Sequence, residues 1–389
     1  MLSILDASTS SSASPSVESH GTVMGGSPLH AHPFAMPSVA EGGAQRLVAD
    51  KIGSSASGAV QRPNIVVTAL PDPQIGNVVA VQVSEGYSGS NVLELGNGRL
   101  ASLKAGDVVI GVLGRRMALK GFVGEVPESL EPGDPLHILN LGGVIGRLEG
   151  GHQGLAAPTA VTFLGAVTDG AGPVMLAHTA RAVAARMVRG LPLILVAGTC
   201  MNAGKTKAAA ELIGHFTREG LKVAGAKMTG VACLRDLLLM QDLGAVKTLS
   251  FLDFGLPSTV GVSDIAPLVK GVVNGLAEAQ PDVAILELGD GILGGYGVES
   301  LFADDEIMEA TAGLIVCAND FLGAWGAIEL LKEKGVRVDA IAGSATDSPM
   351  AVSFIEQRFG VPAANALTMS DKLSGLMLER LKAWRHKPA

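Results

Sequence analysis

Two rhythms of apolar residues divide this chain. Between about residues 63 and 167, short runs at 64–69, 78–83, 107–113 and 121–126 are rich in β-branched side chains. They are separated by Gly, Pro and Asp at close spacing. Short runs of this kind between turn formers predict a small all-β unit, a barrel or a sandwich. The glycine-rich stretch 139–146 is followed by nothing of helical period, so it reads as a tight turn between strands. From residue 191 the rhythm changes. The run 191–198, LPLILVAG, is apolar almost without a break, as expected of a strand covered on both faces. Behind it Ala208, Ala209, Leu212, Ile213 and Phe216 recur at helical spacing and predict a helix over 205–219. Strand-like runs return at 222–226, 282–287, 313–318 and 338–342, with a helix over 324–334 between the last two. Strands alternating with helices imply a mainly parallel sheet with helices on both sides. A further helix is expected over 174–189, joining the two parts, with Arg181, Arg186 and Arg189 on its polar side.

Residues 1–61 carry almost no apolar period. Ser, Ala, Gly, Pro and His dominate, and such a segment cannot bury enough surface to offset its ordering entropy, so a disordered tail is expected. His30 and His32 have no third or fourth ligand nearby and read as part of that polar tail. The expected fold class is therefore α/β. A tail over 1–61 and a small β-rich domain over 62–170 precede a nucleotide-binding α/β domain over 171–389.

Composition narrows the partners. The net charge is −8 and no Lys/Arg-rich run occurs, so no nucleic-acid partner is expected. No apolar run is long enough to cross a membrane, and no membrane association is expected. The three cysteines, Cys200, Cys233 and Cys317, show neither disulfide nor zinc spacing, which fits a reducing compartment. The first residues lack the charged and apolar regions of a secretory signal, and no arginine precedes Arg46. A cytoplasmic location is expected.

The chemistry concentrates at residues 191–210, LPLILVAGTCMNAGKTKAAA. A buried strand runs into a glycine-bearing turn, and Gly204, Lys205 and Thr206 open a helix. That order suits a phosphate-binding loop. The small residues Ala203 and Gly204 let main-chain N–H groups close on phosphate oxygens, and the helix start adds free N–H groups and a positive dipole end. Lys205 can reach the outer phosphates and the Thr206 hydroxyl can ligate Mg²⁺. Gly198, Thr199, Asn202 and Lys207 complete the expected nucleotide contacts. The spacing departs from the simple pattern in one respect: Thr199 stands where the first glycine is expected, and Gly198 lies one residue earlier. Glu287 ends the apolar strand 282–287, at the sheet edge where ligands of open α/β sheets bind. Mg²⁺ takes few protein oxygens, so Thr206 with one or two of Asp236, Glu287 and Asp290 would suffice. Lys227, also at a strand end, is a candidate for stabilising charge on a transferring phosphoryl group or for binding an acidic substrate.

The loop GTCMNAGKT at 198–206 resembles the GTxxxxGKT loop of the dethiobiotin synthetase family, in the SIMIBI branch of P-loop proteins. Further likenesses follow in order between about residues 191 and 367. VAGAKMTG places Lys227 at the family's Lys-Pro-Val-x-Ser-Gly lysine, with Thr229 and Gly230 near its Ser-Gly. CLRDLLLMQ offers Asp236 as the acidic residue at a helix start. Pro257 and Ser258 match a Pro-Ser turn, and LELGDGILGG places Glu287 at the glutamate of Glu-Gly-x-Gly-Gly. Three features depart from the family. Lys-Met-Thr replaces Lys-Pro-Val. Gly343 and Ser344 stand where its base-reading Asn is expected, leaving Thr346 and Asp347 as alternative readers. The acidic stretch 299–306 has no counterpart and reads as a solvated helix start. Thr199 and Cys200 occupy the place of the signature lysine of the Min- and Ars-type switch ATPases.

The resemblance implies an enzyme using Mg²⁺ and ATP, or GTP, to pass a phosphoryl group to a small-molecule carboxylate, carbamate or hydroxyl in a ligase-like or kinase-like step. An acidic or amine-bearing substrate is expected, and a homodimer by analogy with related folds. The alternative is a nucleotide-dependent regulatory or metallocentre-assembly NTPase that uses the β-rich domain as a docking module.

Overall fold

The computed structural model describes residues 43–85 and 91–386. The expected disorder of residues 1–42 lies outside the described residues, as do His30 and His32. Twelve strands form the β unit: β1 (Gln45–Val48), β2 (Lys51–Ile52), β3 (Asn64–Thr68), β4 (Val78–Val83), β5 (Val92–Glu94), β6 (Leu100–Ser102), β7 (Val108–Leu113), β8 (Arg116–Met117), β9 (Phe122–Glu125), β10 (Pro135–Ile138), β11 (Val144–Gly151) and β12 (Thr159–Thr168). Ten of them make one sheet in the order β1-β3-β12-β4-β7-β11-β9-β8, with β10 pairing β11 and β12, and β2 pairing β7. β5 and β6 pair with each other. Strand β4 is buried from both sides. Val79, Val81 and Val83 face one core with Val109, Leu113 and Phe163. Val78 and Ala80 face another with Ile110, Val112, Ala56 and Val60.

That second core corrects the tail expected over 1–61. Residues 45–61 hold β1 and β2, and Ala49, Ala56 and Val60 are buried. Their apolar side chains are few and small, so they show no period; they are ordered by the sheet they cover. The stretch 139–146 is a turn, with the Gly143 N–H donating to the Asn140 carbonyl at 3.2 Å.

The helix expected over 174–189 is also corrected. Only a 3₁₀ turn, Leu176–Thr179, forms there. Beyond it the main chain bonds to distant groups: Ala184 N–H to the Pro267 carbonyl at 3.0 Å and Val188 N–H to Asn274 Oδ1 at 2.7 Å. Donors committed to another helix cannot close i→i−4 bonds.

The α/β unit follows: β13 (Leu193–Gly198), α1 (Lys205–Arg218), β14 (Val223–Thr229), α2 (Arg235–Asp242), β15 (Lys247–Ser250), α3 (Ala266–Ala277), β16 (Val283–Leu288), α4 (Val298–Leu301), α5 (Asp305–Ala310), β17 (Thr311–Cys317), α6 (Phe321–Glu333), β18 (Ala340–Ala342), α7 (Pro349–Phe359) and α8 (Ser370–Arg385). Its sheet runs β15-β14-β16-β13-β17-β18, and every pairing is parallel. Alternation along β13 shows why its run is apolar throughout. Leu193, Leu195 and Ala197 pack beneath α3, α6 and α7, while Ile194 and Val196 pack against α1, α2 and α8. Strands β13, β14, β16 and β17 all deliver their C-terminal ends to one edge, and the loops there build the site. Among the described residues no helix is long and apolar enough to cross a membrane.

Candidate functional site

Strand β13 ends at Gly198, and residues 199–204 turn into α1. Two features hold this loop. Gly204 has φ 103°, in the left-handed region where a side chain is strained. Gly198 passes under the stem of Lys205, and a Cβ at Gly198 would lie 2.9 Å from Lys205 Cγ and Cδ. Among the described residues, no main-chain N–H from Met201 to Lys207 has an acceptor. These amides sit on a helix start, where an anion would satisfy them together. Thr199 N–H, in contrast, is committed to the Cys317 carbonyl at 2.9 Å.

Lys205 is 5% exposed, and its Nζ donates to the Cys200 carbonyl at 2.7 Å. Burial lowers its pKa from the ordinary lysine value, against the opposing pull of Glu287. The Thr206 hydroxyl donates to Glu287 Oε1 at 2.7 Å, and Glu287 Oε2 is buried with no hydrogen-bond partner. Burial and the charge of Asp236 raise the Glu287 pKa, against the pull of Lys227. An orphaned buried carboxylate oxygen beside a hydroxyl suits a hard cation, so Thr206 and Glu287 fit Mg²⁺. The Asp236 carboxylate lines the same cavity as Thr206 and Glu287 and is paired with the Lys227 ammonium. Burial would lower the Lys227 pKa, but Asp236 and Glu287 outweigh it and raise it. Among the described residues no cluster of three or more His, Cys, Asp or Glu could hold a metal ion, so most of its ligands would be phosphate oxygens and water.

These groups line a cavity of about 830 Å³. Asn202, Gly204, Lys205, Thr206, Lys207, Lys227, Asp236, Glu287 and Asp290 contribute to its wall, whereas Thr199 and Ala203 do not. The lining also includes Asp347 and Asn365, joined by a 2.8 Å bond from Asn365 Nδ2 to Asp347 Oδ1. Thr346 is 1% exposed and its hydroxyl donates to the Gly343 carbonyl, so only Asp347 of the two alternative base readers reaches the cavity. The acidic stretch 299–306 does open helices, Glu299 in the first turn of α4 and Asp304 capping α5 ahead of Asp305 and Glu306, but it is not left to solvent alone. Lys270 pairs with both Asp304, at 2.7 Å, and Glu306, at 3.0 Å.

The β unit also reaches this cavity, through Arg116, Asn140 and Leu141. The hairpin of β8 and β9 touches the loop 199–204 directly, Lys120 N–H lying 3.3 Å from Met201 Sδ. Glu94, fully buried, accepts from Leu234 N–H at 2.7 Å, Arg235 N–H at 2.9 Å and Cys233 Sγ at 3.2 Å, so it caps the helix that carries Asp236. Burial and Glu94 push the Cys233 thiol up to about 12, and burial does the same to Cys317, so neither is poised to react. Nothing in the local sequence marks Arg116 or Glu94, because each acts on residues far along the chain.

No protein-family model and no curated protein sequence matches this chain. Solved structures do show a likeness. The signal recognition particle receptor FtsY from Elizabethkingia anophelis is 17% identical, over 50% of this chain and 67% of that one, with a TM-score of 0.33. The signal recognition particle 54 kDa protein from Aeropyrum pernix, in complex with GDP, is 18% identical over 51% of each chain, with a TM-score of 0.33. A DUF1611 family protein from Anabaena variabilis is 16% identical over 51% of this chain and 63% of that one, with a TM-score of 0.34.

Proposed function

We propose that this chain binds a magnesium nucleoside triphosphate, ATP or GTP, and passes its γ-phosphoryl group to a small-molecule acceptor. The observation that carries this reading is the loop 198–206. Its unpartnered amides, the Lys205 ammonium and the Thr206 hydroxyl converge on one cavity wall. Thr206 and Glu287 would hold Mg²⁺, which supplies charge neutralisation on the phosphate oxygens when bound. The chain's own part is positioning and electrostatics. The loop amides and Lys205 bind the phosphates. Lys227, held in place by Asp236, faces the negative charge that develops in transfer. An acceptor oxygen bonds to the γ-phosphorus as the bond to the bridging oxygen breaks, and its electron pair leaves on the nucleoside diphosphate. A carboxylate acceptor gives an acyl phosphate with no proton to move; a hydroxyl acceptor passes its proton to solvent water.

The β unit walls the cavity with Arg116, Asn140 and Leu141, which favours an enzyme over an NTPase switch with a separate docking module. Nucleoside diphosphate release by the purified chain, measured against a metabolite panel and against cell protein fractions, tests this. Steep stimulation by one small molecule supports the enzyme; slow turnover raised only by a protein fraction supports the switch.

A further inference from the structure

The positive charges around the cavity are not equally committed. Lys227 is neutralised by Asp236, and Lys205 belongs to the phosphate loop. Arg116 is different. Its Nη1 donates to the Leu139 carbonyl, its Nε is buried without an acceptor, and no carboxylate of the described residues forms an ion pair with it. Asn140 beside it is spent internally, its Nδ2 donating to the Ala232 carbonyl at 2.7 Å and its Oδ1 accepting from Val144 N–H at 3.1 Å. A guanidinium left partly desolvated with an idle donor is costly unless something else completes it.

The placement of Arg116 is built. Its guanidinium stands over the Phe122 ring, 5.7 Å from the centroid. Gly121 makes room for it, because a Cβ there would lie 2.8 Å from Nη2. The hairpin that carries it is fastened to the α/β unit at two points. Met117 N–H donates to the Tyr296 hydroxyl at 3.1 Å, and Lys120 N–H meets Met201 Sδ at 3.3 Å. A rotamer fixed by its surroundings loses little freedom on binding, which is the condition for a guanidinium to read a ligand.

We infer that Arg116 binds the acceptor substrate and that this acceptor carries a carboxylate. The inference rests on the phosphoryl-transfer reading and names its substrate class. Charge decides the class. Arg116 offers a positive charge inside the wall that no carboxylate pairs directly, its field shared with Asp290, while Arg235 and Lys207 are exposed. Asp290 also lines this part of the cavity, so a second negative charge on the ligand would be opposed. A planar monoanionic carboxylate suits a guanidinium in that setting better than a dianionic phosphate ester.

The test uses the full chain with Mg²⁺ and its preferred nucleotide. The probes are acetate to hexanoate, malonate to adipate, and the α-amino and α-hydroxy acids glycine, alanine, glutamate, lactate and malate, each beside its amide; simple alcohols and alkylamines complete the set. One or more acids, and not the matched amides, should accelerate nucleoside diphosphate release. Arg116→Gln should then raise the half-saturating acid concentration by roughly tenfold or more, with a smaller change in kcat. Nucleotide affinity by calorimetry should stay within about twofold, and Arg116→Lys should recover part of the acid affinity. Stimulation only by amines or alcohols, no stimulation by any acid, or an unchanged acid dependence in Arg116→Gln would each overturn the inference. So would a loss of nucleotide affinity in that variant, since Arg116 would then belong to the nucleotide site. Failure of the unaltered chain to bind any nucleotide is a separate result, and it removes the phosphoryl-transfer reading itself.

Discussion

Glu94 of the β unit accepts the main-chain N–H of Arg235, 141 residues further on, at 2.9 Å. This bond opens helix α2, which has no side-chain cap of its own. The carboxylate also takes the Leu234 N–H, the Cys233 thiol and the Ser54 hydroxyl, all in a fully buried position. Removing it would orphan several buried donors at once. Glu94→Ala should cost about 2–4 kcal/mol in chemical denaturation, and Glu94→Gln less, because an amide keeps one acceptor oxygen. Equal stability of all three proteins would show that the cap contributes nothing.

Gly198→Ala tests the crowding beneath Lys205. The new methyl carbon would lie 2.9 Å from the lysine stem, so the ammonium must shift off the phosphate position. Nucleotide affinity should fall by about tenfold, with an overpacking cost of about 1–3 kcal/mol. Normal affinity in calorimetry would mean that Lys205 has another route to the phosphates.

Glu287→Gln should raise the Mg²⁺ concentration needed for half-maximal nucleotide binding by about tenfold, because an amide is a poorer ligand for a hard cation. A Mg²⁺ titration superimposable on that of the unaltered chain would acquit Glu287 of metal binding.

The pH dependence of stability can be checked at Asp304, which caps α5 through the Ile307 N–H at 3.0 Å and pairs with Lys270. Partial burial pushes its carboxyl up, but the hydrogen bonds from Lys270 and the Ile307 amide outweigh that and hold it below 3.8. Its contribution is therefore fully present above that pH and is lost as pH falls through the lower folded value. Asp304→Ala should cost about 1 kcal/mol at neutral pH. The difference from the unaltered chain should shrink in strong acid. A difference that grew on acidification would reverse the sign and refute the pairing.

The parallel sheet and the strand–loop–helix turn around Gly204 were legible in the sequence because their signals are local. Strand β13 declares itself through an unbroken apolar run, and Gly204-Lys205-Thr206 sits where strand becomes helix. Elements held by distant partners were not legible. Residues 49–60 offer mostly small side chains to a β-sheet core, and the segment 174–189 gives its amides to α3 and its neighbours rather than to itself. Arg116 and Glu94 act on a unit that lies far along the chain. Asp236 shows an intermediate case: its place at a helix start could be read, but its partnership with Lys227 depends on how β14 and α2 meet.

The central claim is that the amides of residues 201–207 and the Lys205 ammonium together grip a triphosphate. Calorimetric titration of the unaltered chain and of Lys205→Ala with Mg-ATP and Mg-GTP tests it most directly. The unaltered chain should bind one of the two nucleotides in the micromolar range, at about −8 kcal/mol. Lys205→Ala should unfold as cooperatively as the unaltered chain yet bind that nucleotide at least about a hundredfold more weakly. Equal affinity in the two proteins, or binding of neither nucleotide by the unaltered chain, would contradict it.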